Sequence, residues 1–490
     1  MSIDNLKSLK LELINENEDA IEGLFEADTQ RLITNQSILD RISQQDLRWL
    51  ETQGYTITKF TEKNPLGTFA IDDFRHSRHL HRSHQIRLRQ ENDVIYRIQK
   101  HFQNGFGIVS QAPTQLSQEE TDTHAFSNIP THAQVISTHS QQSNNQWQQP
   151  IVVPSGRHIT ESLNTSNQYA QGGFEGMIAM ANSTGEVFTF RPFENAKRLQ
   201  DTCRGLCIPE VPIELFMESI TSAVAANASY IPSHSSNAKL YIRPYVQGIN
   251  GGSGVAPATS YLFCVEVFPF AGYFQDKDFA LDLVAIDGSR RSTPGGVGHL
   301  KYSGNYARTM HDKHLAKSGL VPSFNNQKFD DLFYIGEHFS QTTTNGIRQA
   351  SQVIEEGAAG CLMFYQKTQE QTIFFTPSLD RNTILPSITR ASIIELCKQK
   401  GHEVIETNIK FEQLPLMTGA MLIGSAAGAV RINSMSLQGQ TVIFDSSTQA
   451  VEPFYDIYNS IYQIRRGNTQ EFDHDKDLSL HSWPHLITKL

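Results

Sequence analysis

The sequence predicts an α/β (α+β) protein whose regular secondary structure begins near residue 151. Hydrophobic residues make up 39% of the 490 residues and charged residues 19%, so a sizeable core can form. From residue 151 onward, short β-branched and aromatic runs alternate with longer segments whose apolar residues recur at helical spacing. A chain of this length is expected to hold about two or three domains.

The first 109 residues are predicted to form a mostly helical N-terminal domain of unknown role. Apolar residues fall near helical spacing within residues 1–60 and again within 86–101. Residues 110–150 are rich in Gln, Ser, Thr and His and hold few large apolar groups. Such a composition packs poorly, so a polar linker is predicted there, with the domain boundary inside it.

Residues 151–278 are predicted to form a small domain and residues 293–490 a larger one, joined by an interdomain loop at 279–292. Turn residues cluster at 287–289 and 294–296. The predicted strands are 176–181, 186–190, 241–246, 261–268, 331–335, 361–366 and 372–375, and the predicted helices are 194–203, 212–227 and 390–400.

Composition also limits the partners and the compartment that we expect. The net charge of −10 argues against a nucleic-acid-binding surface. No apolar run reaches the roughly 18 residues that a membrane span requires, and the N-terminus lacks the pattern of a signal peptide, so a cytoplasmic protein is expected. Five cysteines suit a reducing compartment better than a disulfide framework. The pair Cys203 and Cys207 indicates helix packing rather than a metal site, because no second Cys/His pair stands nearby.

Residues 74–89 form the basic stretch FRHSRHLHRSHQIRLR, which contains no acidic residue. One interpretation is a helix face that docks on the acidic remainder of the chain or on a dimer partner. A second is an anion or nucleic-acid patch. A third is metal binding through four closely spaced histidines, His76, His79, His81 and His84.

Lys301 stands in a Gly-rich run, with Pro294, Gly295, Gly296 and Gly298 before it. Glycines let a backbone approach a ligand closely, and a lysine held in such a run can act as a nucleophilic amine. The alternative is a solvated surface lysine beside a turn.

Five blocks around this lysine occur in a fixed order and resemble the branched-chain aminotransferases, which are pyridoxal-phosphate enzymes of fold type IV. The resemblance runs from about residue 150 to the C-terminus. It implies a small α/β domain, a larger pseudo-barrel domain and a homodimer. The blocks are YAQGGFEG at 169–176, FRPFENAKRL at 190–199, YIRP at 241–244, KYSGNY at 301–306 and LPSITR at 385–390, with GSAA at 424–427 as a weaker addition.

The resemblance implies that Lys301 is the catalytic residue, which holds the aldehyde of pyridoxal 5′-phosphate and then moves a proton between the substrate and the cofactor. Glu356 matches the glutamate that pairs with the pyridine nitrogen. Tyr306 matches the tyrosine that hydrogen-bonds the ring's 3′ oxygen. Without the resemblance, the pair Glu355 and Glu356 would indicate a solvated helix end, and Tyr306 an ordinary core tyrosine.

The resemblance also implies a phosphate site. Arg198 matches the family's arginine, and its guanidinium fits phosphate oxygens bidentately. The alternative role for this arginine is a salt bridge with Glu194. Ile388 and Thr389 precede a predicted helix, whose first N–H groups can bind an anion. Ser425 stands where the family usually has threonine, and either hydroxyl can donate to phosphate.

Substrate-binding residues are implied in the same way, although each is also compatible with core packing. The tyrosine of YIRP and two backbone N–H groups of GSAA would hold the α-carboxylate, and the arginine of YIRP would meet a second carboxylate. Two aromatic residues of YAQGGFEG would line an apolar pocket that suits a branched side chain. These residues are Tyr169, Phe174, Tyr241, Arg243, Ala426 and Ala427.

The implied reaction is ping-pong transamination between a branched-chain L-amino acid and 2-oxoglutarate, with no metal. Several departures from the family's pattern concern the substrate. Ala359 and Cys361 stand where Thr and Asn are common, Ser387 replaces a glycine, and VRI at 430–432 replaces the usual continuation of the GSAA block. An aminotransferase of a specialised pathway, acting on an unusual amino acid, is therefore an alternative.

Two further alternatives are a lyase acting on aminodeoxychorismate and a non-catalytic binding protein that keeps the fold. The KYSGNY and YIRP blocks favour the aminotransferase over the lyase.

Overall fold

The computed structural model of the protein describes residues 107–272, 279–344, 347–468 and 483–489, together with five short strands nearer the N-terminus. Those strands are Glu12–Ile14, Ala20–Glu22, Leu32–Thr34, Thr68–Ala70 and Gln85–Arg87, here β1 to β5. The helices predicted within residues 1–60 and 86–101 fall largely outside the described residues, and the described pieces there are extended. The basic stretch at 74–89 also lies outside them, apart from β5.

Strands and helices alternate through the rest of the described chain, and the elements predicted from 176 to 400 are present with shifted ends. No helix in the described ranges is both long and apolar enough to cross a bilayer. The first elements are β6 (Gly107–Ser110), α1 (Gln118–Thr123), β7 (Ala133–Ser140), β8 (Gln146–Trp147), β9 (Ile151–Pro154), β10 (Gly156–Ile159), α2 (Thr165–Tyr169), β11 (Gly172–Phe174), β12 (Met177–Ala181), β13 (Glu186–Phe190), α3 (Pro192–Gly205), α4 (Ile213–Ala226), β14 (Lys239–Gly248) and β15 (Tyr261–Phe270). The remaining elements are β16 (Ala280–Val284), α5 (Ala307–Ser318), β17 (Asp331–Thr344), β18 (Ile347–Gly357), β19 (Cys361–Lys367), β20 (Thr372–Pro377), α6 (Ile388–Gln399), β21 (Glu403–Thr407), β22 (Gly419–Gly424), β23 (Gly428–Leu437), β24 (Gln440–Ile443), α7 (Thr448–Arg465) and β25 (Pro484–Lys489).

The first large sheet is antiparallel and has the strand order β25-β13-β12-β14-β15-β7-β8, with β11 on β14 and β9 on β7. Side chains alternate between the two faces of a strand. Leu240 and Ile242 of β14 therefore pack with helices α3 and α4 in one core. Tyr241, Arg243 and Tyr245 of the same strand lie on the opposite face, which is the face that carries the functional groups.

The stretch predicted as a polar linker contains a strand of this sheet, so that prediction is wrong for β7. All eight residues of β7 are buried, and β7 pairs with β15 and β9. Two of its polar side chains are hydrogen-bonded in place, because Ser137 donates to the Gln148 carbonyl at 2.6 Å and Gln134 donates to the Pro154 carbonyl at 3.2 Å. Composition misled the prediction, since buried polar groups are tolerated when they are hydrogen-bonded.

The second large sheet is mixed, with the order β18-β17-β16-β23-β22-β19-β20-β21 and β24 on β23. Alternate residues of β19 face two different cores. Met363 and Tyr365 pack with helices α6 and α7. Leu362 and Phe364 pack with the other side of the sheet. This strand is apolar on both faces, as expected for a strand in the middle of a covered sheet.

The boundaries between the two sheets differ from those predicted. Ala280–Val284, inside the predicted loop 279–292, is strand β16 of the second sheet, and β25 returns from the C-terminus to pair with β13 of the first. Asp282 interrupts the apolar pattern of β16, which explains the missed strand. Its carboxylate accepts hydrogen bonds from Asn433 at 2.7 Å and from Ser434 at 2.6 Å.

Candidate active site

Lys301 is fixed through its backbone to the first sheet. Its N–H donates to the Thr202 hydroxyl at 3.1 Å, and its carbonyl accepts from the Phe174 N–H at 3.1 Å. Gly173 and Tyr302 form a bridge beside these bonds. A Cβ at Gly173 would overlap the Thr202 side chain, so a glycine is required for this close approach. The YAQGGFEG block and Thr202 of helix α3 thus hold the backbone of the lysine.

The Lys301 amine projects into a cavity of about 450 Å³ between the two sheets. Its Nζ donates to the Tyr306 hydroxyl at 3.3 Å and lies 4.9 Å from the centre of the Phe174 ring. Within the described ranges, no carboxylate forms an ion pair with this amine. The lysine is therefore placed for chemistry in the cavity and does not serve as one half of a salt bridge.

Glu356 enters the cavity from the end of β18 and is buried. Arg291 Nη1 lies 2.6 Å from its Oε1, and the Leu385 N–H donates to its Oε2 at 3.3 Å. Burial raises the pKa of Glu356, and the Arg291 charge acts in the opposite direction. The arginine therefore favours an ionised carboxylate in a place where desolvation opposes one.

Glu355, the adjacent residue, does not line the cavity. It is buried on the other face of β18, where its nearest ion-pair partner is Arg381 at 3.5 Å. Burial also raises the pKa of Glu355. The two neighbouring carboxylates thus point to opposite faces, as strand geometry requires, and neither is at the solvated helix end considered above.

Arg198 lines the cavity from α3, and most of its guanidinium is already engaged. Nε and Nη2 donate to the two carboxylate oxygens of Glu175 at 2.8 and 2.7 Å, and Nη1 donates to the Pro386 carbonyl at 3.0 Å. These bonds use three of the five N–H groups of an arginine. The remaining N–H groups belong to a guanidinium that is held rigidly at the cavity wall.

Helix α6 begins at the cavity. Its N-cap residue, Ser387, lines the cavity and accepts from the Arg390 N–H at 3.3 Å. The N–H groups of Ile388 and Thr389 have no partner within the helix, because the first turn of a helix leaves its N–H groups unpaired. The side chains of these two residues are buried away from the cavity, and the Thr389 hydroxyl accepts from Arg465 Nη2 at 3.2 Å.

Tyr241 and Arg243 reach the cavity together from β14. Arg243 Nη2 donates to the Tyr241 hydroxyl at 2.9 Å, and its guanidinium carbon lies 4.6 Å from the Phe174 ring centre. Arg243 forms no ion pair with any carboxylate in the described ranges. Across the cavity, Ser425 and Ala426 follow the end of β22. The predicted groups for an α-carboxylate and for a second carboxylate therefore share one space.

Besides Ile388 and Thr389, two predicted site residues do not line the cavity. Tyr169 ends helix α2, and its hydroxyl donates to the Ser253 carbonyl. Ala427 packs against the apolar core of the second sheet. All other predicted site residues except Ile388 and Thr389 contribute side chains to the cavity wall.

Several residues of the cavity wall were not predicted from the sequence. Arg291 is one of two adjacent arginines shortly before the Gly-rich run, but nothing local in the sequence marks it as the partner of Glu356. Phe126 belongs to the stretch predicted as linker. Thr309 and Lys313 recur at helical spacing on α5 after the lysine block, and Lys313 pairs with Asp331 at 2.9 Å.

The family described as amino-transferase class IV matches residues 348–435, which run from β18 to β23. This segment carries Glu356, the start of α6 and Ser425. The lysine, the buried carboxylate and the two-sheet fold around one cavity agree with that match. Fold and site thus define an aminotransferase of class IV.

Comparison with curated relatives identifies the family within this class. The chain is 32% identical over 343 residues to a branched-chain-amino-acid aminotransferase of Helicobacter pylori, covering 69% of this chain and 92% of the relative. It is 30% identical over 321 residues to the corresponding protein of Haemophilus influenzae, covering 65% and 88%. The chain belongs to the branched-chain aminotransferase family of class IV aminotransferases.

Solved structures confirm the predicted fold type IV. A branched-chain aminotransferase from Thermoproteus uzoniensis superposes with a TM-score of 0.54 at 17% identity, covering 73% of this chain and 100% of that one. The Escherichia coli branched-chain aminotransferase gives 0.53 at 20% identity, with the same coverage. At these identities the likeness concerns the fold alone.

Proposed function

We propose that the protein uses pyridoxal 5′-phosphate to transfer an amino group between a branched-chain L-amino acid and 2-oxoglutarate. The observation that carries this proposal is the presence of the Lys301 amine and the buried Glu356 carboxylate in one cavity. Another solved branched-chain amino acid aminotransferase of the same fold, with a TM-score of 0.51, is complexed with N-(5′-phosphopyridoxyl)-L-glutamate, which supports the cofactor.

The charges around the cavity fit the cofactor. Five cationic side chains line the cavity. Three of them form ion pairs with carboxylates, one with Glu356 in the cavity wall and two with Glu175 and Asp331 behind the wall. Lys301 and Arg243 form no ion pair in the described ranges, so the cavity wall keeps a net positive charge that favours anionic ligands. The unpaired N–H groups at the start of α6 add donors beside Arg198 and Ser425. The residues present therefore fit a phosphate at one end of the cavity and a ring nitrogen at Glu356.

When bound, the cofactor supplies an electron sink for the pair of electrons left at the substrate's Cα. Lys301 would be the amine that holds the cofactor's aldehyde, and its free amine would be the base that moves the proton at the substrate's Cα. Tyr306 positions this amine through the hydrogen bond to Nζ. Glu356, whose ionised form Arg291 favours, would pair with the ring nitrogen and keep it protonated.

The substrate end of the cavity offers apolar surface for the substrate's side chain. It also offers a guanidinium and a hydroxyl group for the substrate's carboxylates. Phe126, Phe174 and Met310 supply apolar surface, and burial there favours a branched aliphatic side chain. Arg243 stands free of a carboxylate partner in the described ranges, which suits the second carboxylate of 2-oxoglutarate. Tyr241, bonded to Arg243, is placed beside it for the α-carboxylate.

A second candidate is a diverged class IV aminotransferase that acts on an unusual amino acid. Cys361 and Ala359, the departures from the family's pattern, both line the cavity. The Cys361 thiol is buried, which raises its pKa to about 11, so it presents a neutral group. A relative from Gibberella zeae that is named only as an aminotransferase is 30% identical over 299 residues.

The quaternary state and location follow the family expectation. We propose a homodimer in the cytoplasm, with an amino acid and a 2-oxo acid as its small-molecule partners. Sedimentation equilibrium on the purified protein checks the first part, and a monomer at micromolar concentration would contradict it.

A screen of amino donors tests the proposed reaction. The purified protein, loaded with pyridoxal 5′-phosphate, should lose its yellow colour on mixing with leucine, isoleucine or valine and recover it with 2-oxoglutarate. Colour loss with other amino acids but not with these three would support the second candidate. A bound cofactor whose colour no amino donor changes would indicate a binding protein.

A further inference from the structure

A second cavity lies beside the active-site cavity on the same face of the first sheet. Its volume is about 590 Å³, and its wall is mostly polar. Arg243, in the active-site wall, lies directly opposite Glu266 in the β14–β15 ladder, and Glu266 lines the second cavity. The two cavities are therefore neighbours along one pair of strands. The transamination chemistry makes no use of the second one.

Three side chains with metal-binding atoms converge here, with His158 and Glu266 in the wall of the second cavity and Cys264 buried beside them. An imidazole nitrogen of His158, the thiol sulfur of Cys264 and a carboxylate oxygen of Glu266 all lie within 4.8 Å of one another. Cys264 and Glu266 are two residues apart on β15, so strand alternation places them on one face, and His158 reaches them from β10. This is the only such group of three in the described ranges.

Neighbouring polar groups hold these side chains in place. The Tyr245 hydroxyl lies 3.1 Å from His158 Nδ1 and 3.2 Å from Glu266 Oε1. Gln134 Oε1 lies 2.7 Å from His158 Nε2 and accepts from Cys264 Sγ at 3.4 Å. Tyr245 and Gln134 thus bridge the three side chains and hold the cluster together.

Among the common cations, the ligand types of this cluster favour zinc. A thiolate ligand selects Zn²⁺ over the hard ions Mg²⁺ and Ca²⁺, which prefer oxygen. Zinc binds sulfur, imidazole nitrogen and carboxylate oxygen at about 2.0–2.3 Å with tetrahedral geometry, so ligand atoms lie roughly 3.3–3.8 Å apart. From the present separations the three atoms need to close by about 1 Å, and the polar neighbours already orient the side chains.

We propose that His158, Cys264 and Glu266 form a zinc site whose fourth position faces the second cavity. Binding releases the thiol proton of Cys264 to solvent, because the ligand is the thiolate. Asn128, which donates to the other oxygen of Glu266 at 3.2 Å, and Tyr245 orient the ligands from outside the first coordination shell.

Equilibrium dialysis of the purified holoprotein against Zn²⁺, followed by elemental analysis, tests the site. One zinc per chain is expected for the wild type. Loss of an outer-shell partner typically costs roughly 10–100-fold in metal affinity, so Cys264→Ser and Glu266→Gln, which each remove a ligand, should lose at least about tenfold. Cys203→Ser is the matched control, since it removes another buried cysteine of the same sheet's core and should leave zinc binding unchanged.

Two results would overturn the site. One is the absence of stoichiometric zinc in the wild type, and the other is equal zinc binding by Cys264→Ser and Cys203→Ser. Co²⁺ added to the wild type gives an independent answer, because thiolate ligation produces an intense near-ultraviolet charge-transfer band. The band is expected for wild type and for Cys203→Ser, and its absence in the wild type contradicts the proposal even if Cys264→Ser fails to fold.

Discussion

The two sheets contribute different kinds of group to the one active-site cavity. The second sheet and the segments after its strands contribute Glu356, Ser425 and the start of helix α6, whose positions are set by strand ends and backbone. The first sheet contributes aromatic and cationic side chains on one strand face, Tyr241 and Arg243. Lys301 stands between them, with its backbone tied to β11.

This difference assigns separate roles to the two halves of the cavity. The second-sheet half, together with Arg198 from helix α3, carries the groups that fit the phosphate and the ring nitrogen of the cofactor. The first-sheet half carries the groups that fit the substrate's carboxylates and side chain. Substitutions in the first-sheet half should therefore change which substrates the protein accepts. Substitutions in the second-sheet half should change the chemistry of the cofactor with every substrate.

The largest effect is expected from breaking the first sheet itself. Val135 of β7 is buried, so Val135→Asp places a carboxylate in an apolar core, at a cost of several kcal/mol against a total stability of about 5–15 kcal/mol. A chain that begins at residue 151 should fail to fold for the same reason, because it lacks β7. Thermal unfolding followed by circular dichroism measures both, with Gln146→Asp, at an exposed position of β8, as the control. Cooperative folding of the shortened chain would show that β7 is dispensable.

The next largest effect is expected from Glu356→Gln, which keeps size and hydrogen bonding but removes the charge. The variant should still bind cofactor, while proton abstraction from the substrate slows by roughly 10²-fold or more. Glu355→Gln, on the opposite face of β18, is the matched control and should do little. Stopped-flow measurement of the first half-reaction decides between them. If Glu355→Gln reacts slowly and Glu356→Gln reacts at the normal rate, the residue that pairs with the ring nitrogen is Glu355 rather than Glu356.

Arg291→Gln tests the second-sheet half of the cavity through the pH dependence of activity. Burial raises the pKa of Glu356 and Arg291 opposes it, so removing the arginine should raise that pKa further. The ionised form is the useful one and exists above the pKa. As the pH falls, the variant should therefore lose activity at a higher pH than the wild type does. A profile of kcat/KM against pH checks this, and an unshifted acid limb would show that Arg291 does not act through Glu356.

A more selective effect is expected from Arg243→Gln in the first-sheet half. A hydrogen bond to a charged group contributes about 1.5–3 kcal/mol, so KM for 2-oxoglutarate should rise by about tenfold or more. Monocarboxylic 2-oxo acids lack the second carboxylate and should be affected little, which makes them the internal control. Steady-state kinetics with both acceptors separates the two outcomes. An equal loss for both would place Arg243 at the carboxylate that all substrates share.

Sequence reasoning found those parts of the site that lie in local motifs. Lys301, Tyr306, Arg198 and Glu356 each stand in a block that resembles a known family, and the structure brings all four to one cavity. Arg291 was missed because its pairing with Glu356 joins segments that are far apart in the chain. A tertiary ion pair of this kind leaves no local pattern in the sequence.

The fold was predictable where hydrophobic periodicity was clear and not where polar residues are buried. The strands and helices from 176 to 400 follow from that periodicity, and the structure contains them. Strand β7 was missed because its polar side chains are paired by hydrogen bonds in the core. Strand β16 was missed for the same reason, because its polar residue Asp282 is hydrogen-bonded in place. Tyr169, a motif residue predicted to line the pocket, donates its hydroxyl to the Ser253 carbonyl in the structure.

The most direct test of the account is to locate the lysine that holds the cofactor. The holoprotein is reduced with borohydride, digested and analysed by mass spectrometry, with Lys301→Ala treated in parallel. We expect the phosphopyridoxyl group on Lys301 in the wild type, and neither the modification nor turnover in Lys301→Ala. A modified lysine elsewhere, with full turnover in Lys301→Ala, would contradict the assignment of this cavity as the active site.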